Sequence, residues 1–378
     1  MGLFDEVAQR IADLEARVLA LEGTVVEPEP EPDQPPADAL NVRDFGAVGD
    51  GSGNDSSAFV DALNAAGNGG TVVVPNGTYK IGTTISSSYL SGRTIWGESK
   101  AGVILVSATD DGSWDYPIIF NLTSRSNVTF QSLTMTGTRA DANTSAACVV
   151  MGTATNITFR DVHWDKCYYA IKQDNRGEGT TDGFYVYDCS TGDDSQNPFY
   201  ISDATNIVFE GCNFHQALYE TNGAPPHVFY VESAVSNMLV EDTYLYGGTW
   251  QTIQLASDNT NYLSDITFRN IELRHATCGM VIHNPGGSTD NILFDGFYAR
   301  TDGETWLSSY PWFRVQGPGS EKITFQNFDL DGLGVAYLSN NTGPVTFKDG
   351  TLTNMSMYSP TGFSISGTAP TITNVSVS

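Results

Sequence analysis

The sequence predicts an all-β chain folded as a three-sided parallel β-helix, a solenoid whose turns stack on one another. The main observation is a repeated unit, in which a small polar residue is followed by an apolar residue, any residue, and Phe or Val. The unit begins at Asn127, Asn156, Gly183, Asn206, Asn237, Asp265, Asn291, Lys322 and Pro344. The first and ninth copies begin 217 residues apart, a period of roughly 27 residues that is typical of solenoids.

Each copy of the unit predicts two strands with a bend between them. Two positions after the Phe or Val comes a residue that tolerates left-handed backbone, as a sharp bend requires. These bend residues are Ser132, Asp161, Asp188, Gly211, Asp242, Asn270, Gly296, Asn327 and Asp349. Three and five positions after the Phe or Val come mostly apolar residues, beginning with Leu133 and Met135, which we expect to point inward. Cys189 and Cys212 occupy such positions and are predicted to be buried thiols.

A third short strand precedes the next copy and completes each turn, for example at residues 199–202 and 229–232. Glycine is plentiful (38 residues) and charged residues are sparse (16%), which fits many strands and turns better than a helical protein. We therefore predict a single β-helix domain over residues 40–378.

The segment at residues 41–66 predicts a cap for the first turn. We expect a short strand over residues 42–45, followed by a glycine-rich turn over residues 46–53. Asp55 or Ser56 is a suitable N-cap for a helix. That helix would bury Ala58, Phe59, Ala62, Leu63 and Ala66. A strand and a helix at this place cover the open end of a stacked β-structure.

This capping segment resembles the opening of the pectate-lyase superfamily, whose members are right-handed parallel β-helices. The residues that carry the resemblance are Asn41-Val-Arg-Asp-Phe-Gly-Ala-Val-Gly-Asp-Gly and Asn54-Asp-Ser-Ser-Ala-Phe. The resemblance implies a right-handed β-helix whose glycan groove is formed by the third strand of each turn and its flanking loops. It does not imply which sugar is bound, or whether the sugar is cleaved.

Apolar residues with alternating spacings of three and four predict a parallel coiled coil over residues 1–26. The seam is formed by Phe4, Val7, Ile11, Leu14, Val18, Leu21 and Val25. β-Branched residues at one seam position with leucine at the other favour a dimer. However, Arg10-Ile-Ala-Asp-Leu-Glu15 and Arg17-Val-Leu-Ala-Leu-Glu22 resemble a motif of short trimeric coiled coils, so we predict a homotrimer. Residues 27–39, rich in Pro and acidic residues, predict an extended, semi-rigid linker.

The chain is strongly acidic, with a formal net charge of −26 from 18 Lys and Arg against 44 Asp and Glu. Such a surface repels nucleic acid and anionic membranes, so we predict neither a nucleic-acid partner nor membrane insertion. One interpretation is an ordinary acidic protein. The other is a protein that works in high salt, where the charge is screened.

Cysteine content and the opening residues bear on the compartment. The five cysteines are odd in number and contain no CxxC pair, so neither a zinc site nor a disulfide framework is predicted. The opening residues, MGLFDEV, lack the basic and apolar regions of a secretion signal, and no apolar run reaches membrane length. If the protein acts outside a cell, we expect it to be released by lysis.

The outward positions of the third strands and the loops beside them form the predicted glycan-binding face. The residues predicted to contact glycan are Tyr200, Tyr230, Trp250, Gln254, His283, Arg314 and Tyr337. Turns stack about 4.8 Å apart, so these groups would line one long face on which sugars can stack and hydrogen-bond. The alternative interpretations are an ordinary solvated sheet face and a contact between protomers.

Candidate catalytic residues follow from the chemistry of glycoside hydrolysis, which requires two carboxylates. Glu232 is the only acid in the outward strand positions, so it is the predicted catalytic residue. Asp193 and Asp194 are its predicted partners, and Asp203 is an alternative.

Elimination chemistry and metal binding are less well supported by the sequence. β-Elimination would need a base such as Arg or Lys, but Arg314 and Lys172 lie too many turns apart to form one site. The loop at residues 174–182 is acidic, which suits calcium, but it does not match an EF-hand loop. We therefore predict no metal site and no cofactor.

The coiled coil, linker and β-helix together resemble the tailspikes and receptor-binding fibres of tailed viruses. The resemblance implies attachment to the virion tail or baseplate through the N-terminus, and a host surface polysaccharide or glycoprotein as the partner. The acidic, lysine-poor surface indicates a halophilic host. Two function classes remain: an adhesin that binds the glycan, and a depolymerase that cuts it by hydrolysis or elimination. A free polysaccharide enzyme is a third possibility.

Overall fold

The structure, a computed structural model, confirms the parallel β-helix, since the strand pairs among the described residues run parallel. The described residues are 34–86, 88–107, 118–137, 147–173, 179–193, 195, 197–215, 227–247, 252–257, 261–274, 279–283, 288–301, 312–316, 322–332, 335–338, 344–354, 363–366 and 371–378. The predicted coiled coil at residues 1–26 and most of the linker at 27–39 lie outside them and stay predictions.

The start of the β-helix is closed by the predicted capping helix. This α-helix, Ser56–Ala66, begins after the N-cap residue Asp55 and buries Ala58, Phe59, Ala62 and Leu63. Ala66, predicted to be buried, is half-buried at the edge of the core. The other elements before residue 108 are the 3-10 helix Ser88–Leu90 and the strands Asp50–Asn54, Thr71–Val74, Gly77–Ile81, Thr94–Gly97 and Val103–Ser107.

The strand predicted at residues 42–45 is wrong, because Val42–Phe45 is a 3-10 helix and the strand is the preceding Leu40–Asn41. The side chain of Asn41 accepts a hydrogen bond from the Arg43 amide at 2.9 Å, which starts the helix. Gly46, at φ 97°, ends it by donating its amide to the Arg43 carbonyl. Part of the predicted glycine-rich turn is also a strand, Asp50–Asn54.

Beyond residue 107, first and second strands lie on either side of a one-residue bend. Continuous pairs are Ser126–Thr136, Thr155–Asp165, Tyr262–Arg274, Ser288–Arg300, Val345–Thr353 and Thr371–Val377. In other turns the first and second strands are separate. These are the pair Thr181–Tyr187 and Ser190–Thr191, the pair Ile323–Gln326 and Asp329–Asp331, and the second strand Asn213–His215.

The third strands complete each turn and form a side of their own. They are Ile118–Asn121, Ala147–Met151, Tyr169–Gln173, Ile253–Ala256, Met280–His283, Phe313–Gln316, Val335–Leu338 and Phe363–Ser366. In two turns the third strand continues into the next first strand, as Phe199–Glu210 and Phe229–Tyr246.

The bends between first and second strands have the backbone that the sequence predicts. All nine predicted residues have positive φ, from 47° at Asp242 to 71° at Gly296. Asn and Asp tolerate this conformation because their short side chains bond locally. Some also bond between turns, as in Asn270 Nδ2 to Asp242 Oδ1 at 2.9 Å.

The core runs through the interior of the solenoid and contains both predicted inward ladders. The repeated Phe rings stack between turns, for example Phe130 on Phe159 at 5.1 Å and 6°. Cys189 and Cys212 are buried free thiols, as predicted. No helix in the described part of the chain has both the length and the apolar character needed to cross a membrane.

Candidate functional site

The third strands present two outward columns of residues, which together we call the third-strand face. The first column contains Lys172, Tyr200, Tyr230, Gln254, Val281, Arg314 and Ala336, in register across consecutive turns. The second column contains Ser202, Glu232, Ala256, His283, Gln316 and Leu338. Neighbouring turns are about 4.8 Å apart, so each column runs continuously by backbone register, with Ser202 and Val281 buried within it.

Aromatic rings dominate one end of this face. The Tyr200 ring lies 6.0 Å from Tyr169 and 5.4 Å from Tyr230 between centroids, and both pairs meet at steep angles. His227 stacks on Tyr230 at 5.2 Å and 23°. Such rings offer edges and faces to the C–H groups of sugars.

Tyr169 and His227 belong to this cluster of rings, although neither is among the predicted glycan contacts. His227 is buried and its amide donates to Asn197 Oδ1 at 2.7 Å, which fixes the loop that carries it. Tyr169 opens its third strand. The sequence signal that identifies both is an aromatic or imidazole side chain just before the alternating part of a third strand.

The predicted catalytic residue Glu232 contacts Tyr200. The Tyr200 hydroxyl donates a hydrogen bond to Oε1 of Glu232, and the two residues come from consecutive turns and adjacent columns. Ser233, at φ 63°, turns the chain directly after Glu232. The arrangement joins a phenol, which can give a proton, to a carboxylate, which can take one.

The carboxylates proposed as partners of Glu232 have other contacts. Asp193 bonds to Nδ1 of His215 at 2.6 Å, and His215 belongs to a second strand. Asp203 accepts from the Ser202 hydroxyl at 3.2 Å and from the Ala234 amide at 3.4 Å, which holds the bend after the third strand. Asp194 lies outside the described residues.

The strand that carries Tyr200 is hydrogen-bonded to the buried side-chain amide of Gln173 in the preceding turn. Gln173 is fully buried, and its Oε1 accepts from the Ser202 amide at 2.6 Å. Its Nε2 donates to the Thr181 hydroxyl at 3.3 Å. These contacts fix the end of the third strand, where Tyr200 and Glu232 meet.

The other predicted glycan contacts are placed with less detail. Gln254 and Arg314 are half-buried in the first column, as expected. His283 lies in the second column by backbone register, but its side chain is outside the described set, and so is Trp250. Tyr337 is in register with Val315, an inward position, so the predicted alignment was displaced by one residue.

The charges on the third-strand face are mixed. The ammonium of Lys172 lies 5.5 Å from the Tyr169 ring centroid and 5.8 Å from that of Tyr200. It stands in the same cluster as the Glu232 carboxylate. Within the described ranges, no group of three or more His, Cys, Asp or Glu side chains is arranged to hold a metal ion.

Comparison with known families agrees with this fold. The model of the family described as rhamnogalacturonase A/epimerase, pectate lyase-like, matches residues 39–301. The chain belongs to this family. The match begins at the capping segment and continues through the turns that carry Tyr200, Glu232 and Gln254, which confirms the resemblance to pectate-lyase-like proteins.

Two curated relatives come from fungi. The probable rhamnogalacturonase B of Aspergillus oryzae is 26% identical over 320 residues, which are 77% of this chain and 53% of the relative. The rhamnogalacturonase A of Aspergillus niger is 24% identical over 344 residues, which are 85% of this chain and 72% of the relative. The chain thus spans about half the length of the A. oryzae relative.

Solved structures share the fold. The tailspike protein of E. coli bacteriophage HK620, in complex with a pentasaccharide, has a TM-score of 0.66 at 12% identity, over 89% of this chain and 65% of that one. The A-module of the Azotobacter vinelandii mannuronan C-5 epimerase AlgE6 has a TM-score of 0.58 at 15% identity, over 89% and 98%. At these identities the likeness concerns the β-helix itself.

Proposed function

We propose that this protein is a virus tailspike that binds a glycan of the host cell surface along the third-strand face. The observation that carries the proposal is the cluster of rings formed by Tyr169, Tyr200, Tyr230 and His227. The cluster lies beside Lys172 and Glu232, so apolar ring faces and groups for hydrogen bonds converge on one surface. This combination is typical of saccharide sites.

Three further observations support a tailspike. The seam at residues 4–25 predicts a trimeric coiled coil, which would join three β-helices and attach them to the virion tail or baseplate. The HK620 tailspike has the same fold and was solved with a pentasaccharide. The net charge of −26 suits a host that lives in high salt, where charges on the surface are screened.

The proposal is tested with a panel of purified polysaccharides from bacterial and archaeal envelopes, at low and at multimolar NaCl. Binding to immobilised polysaccharide is measured for the wild type and for Tyr230→Ala. Loss of one stacked ring should weaken binding about fivefold, since such a ring contributes on the order of 1 kcal/mol. The matched control is Tyr298→Ala, because Tyr298 is 49% exposed on a second strand.

Binding that Tyr230→Ala weakens and Tyr298→Ala does not would support the proposal. If no polysaccharide binds, or if both variants lose the same affinity, the third-strand face is not the glycan site.

A free polysaccharide-degrading enzyme is the second candidate, favoured by membership of a family with two rhamnogalacturonase relatives. The mass of the full chain in solution separates the candidates. We expect a trimer at micromolar concentration, and a monomer would favour the free enzyme.

A further inference from the structure

We propose that Tyr200 is a catalytic nucleophile on the third-strand face and that Glu232 is the base that takes its proton. The inference rests on the proposed function, because the electrophile that it requires is the anomeric carbon of a bound glycan. The Tyr200 hydroxyl already donates its hydrogen bond to Oε1 of Glu232. A nucleophile within hydrogen-bonding reach of a base is the arrangement that activates weak nucleophiles such as phenols.

The side chain that hydrogen-bonds to Glu232 is the phenol of Tyr200. Among the described residues of the two columns, Glu232 is the one acid. Asp203 is engaged in the bend and Asp193 by His215. Since hydrolysis needs two protic groups at the glycosidic bond, the structure assigns the second role to Tyr200; some glycosidases use a tyrosine nucleophile in this way.

A cation and two aromatic rings surround Tyr200. The Lys172 ammonium lies 5.8 Å from the centroid of the Tyr200 ring, where a positive charge stabilises the negative charge that develops on the phenolic oxygen. The rings of Tyr169 and Tyr230 flank Tyr200 at 6.0 and 5.4 Å.

The reaction has two displacements and consumes one water molecule. In the first, the Tyr200 oxygen bonds to the anomeric carbon as the bond to the glycosidic oxygen breaks. Glu232 takes the phenol proton, while a water molecule on the opposite face of the sugar protonates the departing oxygen, which leaves as a sugar hydroxyl. In the second, the hydroxide left by that water attacks the same carbon, and Glu232 returns its proton to the Tyr200 oxygen as the bond from tyrosine to carbon breaks. Two displacements retain the anomeric configuration.

The first test needs no glycan, because an activated phenol also reacts with N-acetylimidazole, which transfers its acetyl group to the oxygen and leaves as imidazole. Acetylation is followed residue by residue with peptide mass spectrometry. We expect Tyr200 to react faster than Tyr298, although Tyr298 is 49% exposed and Tyr200 is half-buried. The substitution Glu232→Gln should slow the acetylation of Tyr200 about tenfold or more, since base catalysis of this kind accelerates reactions substantially.

The rate at Tyr298 is the internal control and should not change in Glu232→Gln. A Tyr200 that reacts more slowly than Tyr298 in the wild type, or equally fast in both proteins, overturns the proposal. Unchanged thermal unfolding of Glu232→Gln shows that the fold is intact.

The second test uses the polysaccharide that binds most tightly in the panel above. Tyr200→Phe keeps the ring, so it should bind with nearly wild-type affinity while the release of new reducing ends falls about a hundredfold or more. The variant Tyr298→Phe should cleave at the wild-type rate. Cleavage by Tyr200→Phe at the wild-type rate, inversion of the anomeric configuration, or binding without any cleavage by the wild type each overturns the proposal. If no polysaccharide binds, the proposed function is wrong and the nucleophilic role of Tyr200 falls with it, whereas slow acetylation of Tyr200 overturns that role alone.

Discussion

The rings of Phe294 and Phe325 lie 4.9 Å apart between centroids and 12° from parallel. They occupy the same inward position in consecutive turns, and both are buried. The stack extends to Phe268 on one side and to Phe347 on the other, at 5.1 and 4.8 Å. These separations match the distance between strands, so each ring fills the space between two turns and couples them.

Phe294→Ala should lower the free energy of unfolding by about 3–5 kcal/mol, because it opens a cavity between two stacked neighbours. Urea unfolding followed by circular dichroism measures the effect. Phe294→Leu keeps more of the side-chain volume than Phe294→Ala, so it should lower the free energy of unfolding by less. A loss no larger than that of the exposed control Tyr298→Ala would contradict a core that is coupled through this stack.

Ser132→Val should lower the free energy of unfolding by about 1–2 kcal/mol. Ser132 has φ 52° at a bend, and a β-branched side chain is strained in left-handed backbone. Ser132→Gly is the matched control, since glycine adopts this φ without strain, and it should be at least as stable as the wild type. Thermal unfolding compares the two, and equal melting temperatures would show that the bend residue is not selected for its backbone.

Much of the fold was predictable because the bends recur at a fixed place in the repeat. Asn, Asp and Gly two positions after each Phe or Val point to left-handed backbone, and the apolar ladders follow from alternation. The cap was less predictable. Residues 42–45 also fit a strand, and the 3-10 helix arises from the Asn41 side chain and the φ of Gly46, which no periodicity reveals.

The site was predictable where consecutive turns align without gaps. Tyr200, Tyr230 and Gln254 therefore fall in one column. Tyr337 was placed one residue out of register because Val335 and Ala336 are equally good apolar starts for the strand. The contact between Tyr200 and Glu232 is diagonal, between different positions of two turns, and depends on side-chain conformations that sequence spacing does not determine.

Cys148, Cys189 and Cys212 should stay unmodified by iodoacetamide in the native protein at pH 8 and react fully in guanidinium chloride. Burial raises the pKa of Cys148 and Cys189 well above the usual value and that of Cys212 to about 12. The thiolate is the reactive form, so little of it exists at pH 8. Mass spectrometry of the labelled peptides measures the reaction.

The same cysteines make stability fall at alkaline pH. A raised pKa leaves the folded thiols protonated while the unfolded thiols ionise. The contribution of these thiols to the free energy of unfolding is therefore complete below about pH 8 and is lost from about pH 8.5 upward. Native labelling of Cys189 at the rate of a free thiol would contradict its burial.

His163 should make the protein less stable in mild acid. Burial lowers the pKa of His163. The charge of Asp165 raises this pKa, and the charges of Lys100 and His215 lower it further. The unfolded chain therefore takes up the proton first as the pH falls. The stability that neutral His163 gives the folded state is complete above about pH 6.5 and is lost below it. His163→Asn should flatten the stability profile between pH 7 and 5, as measured by urea unfolding. An unchanged slope would show that other groups control it.

Gln173→Leu should weaken both the fold and the site. It leaves the Ser202 amide and the Thr181 hydroxyl without the buried partners they have at 2.6 and 3.3 Å, which costs about 1–3 kcal/mol of unfolding free energy. Because Ser202 ends the strand that carries Tyr200, glycan affinity should fall as well. The matched control is Gln326→Leu, a half-buried residue on a first strand, which should change stability by less than about 0.5 kcal/mol. Equal losses in the two variants would show that the buried amide does not hold the site.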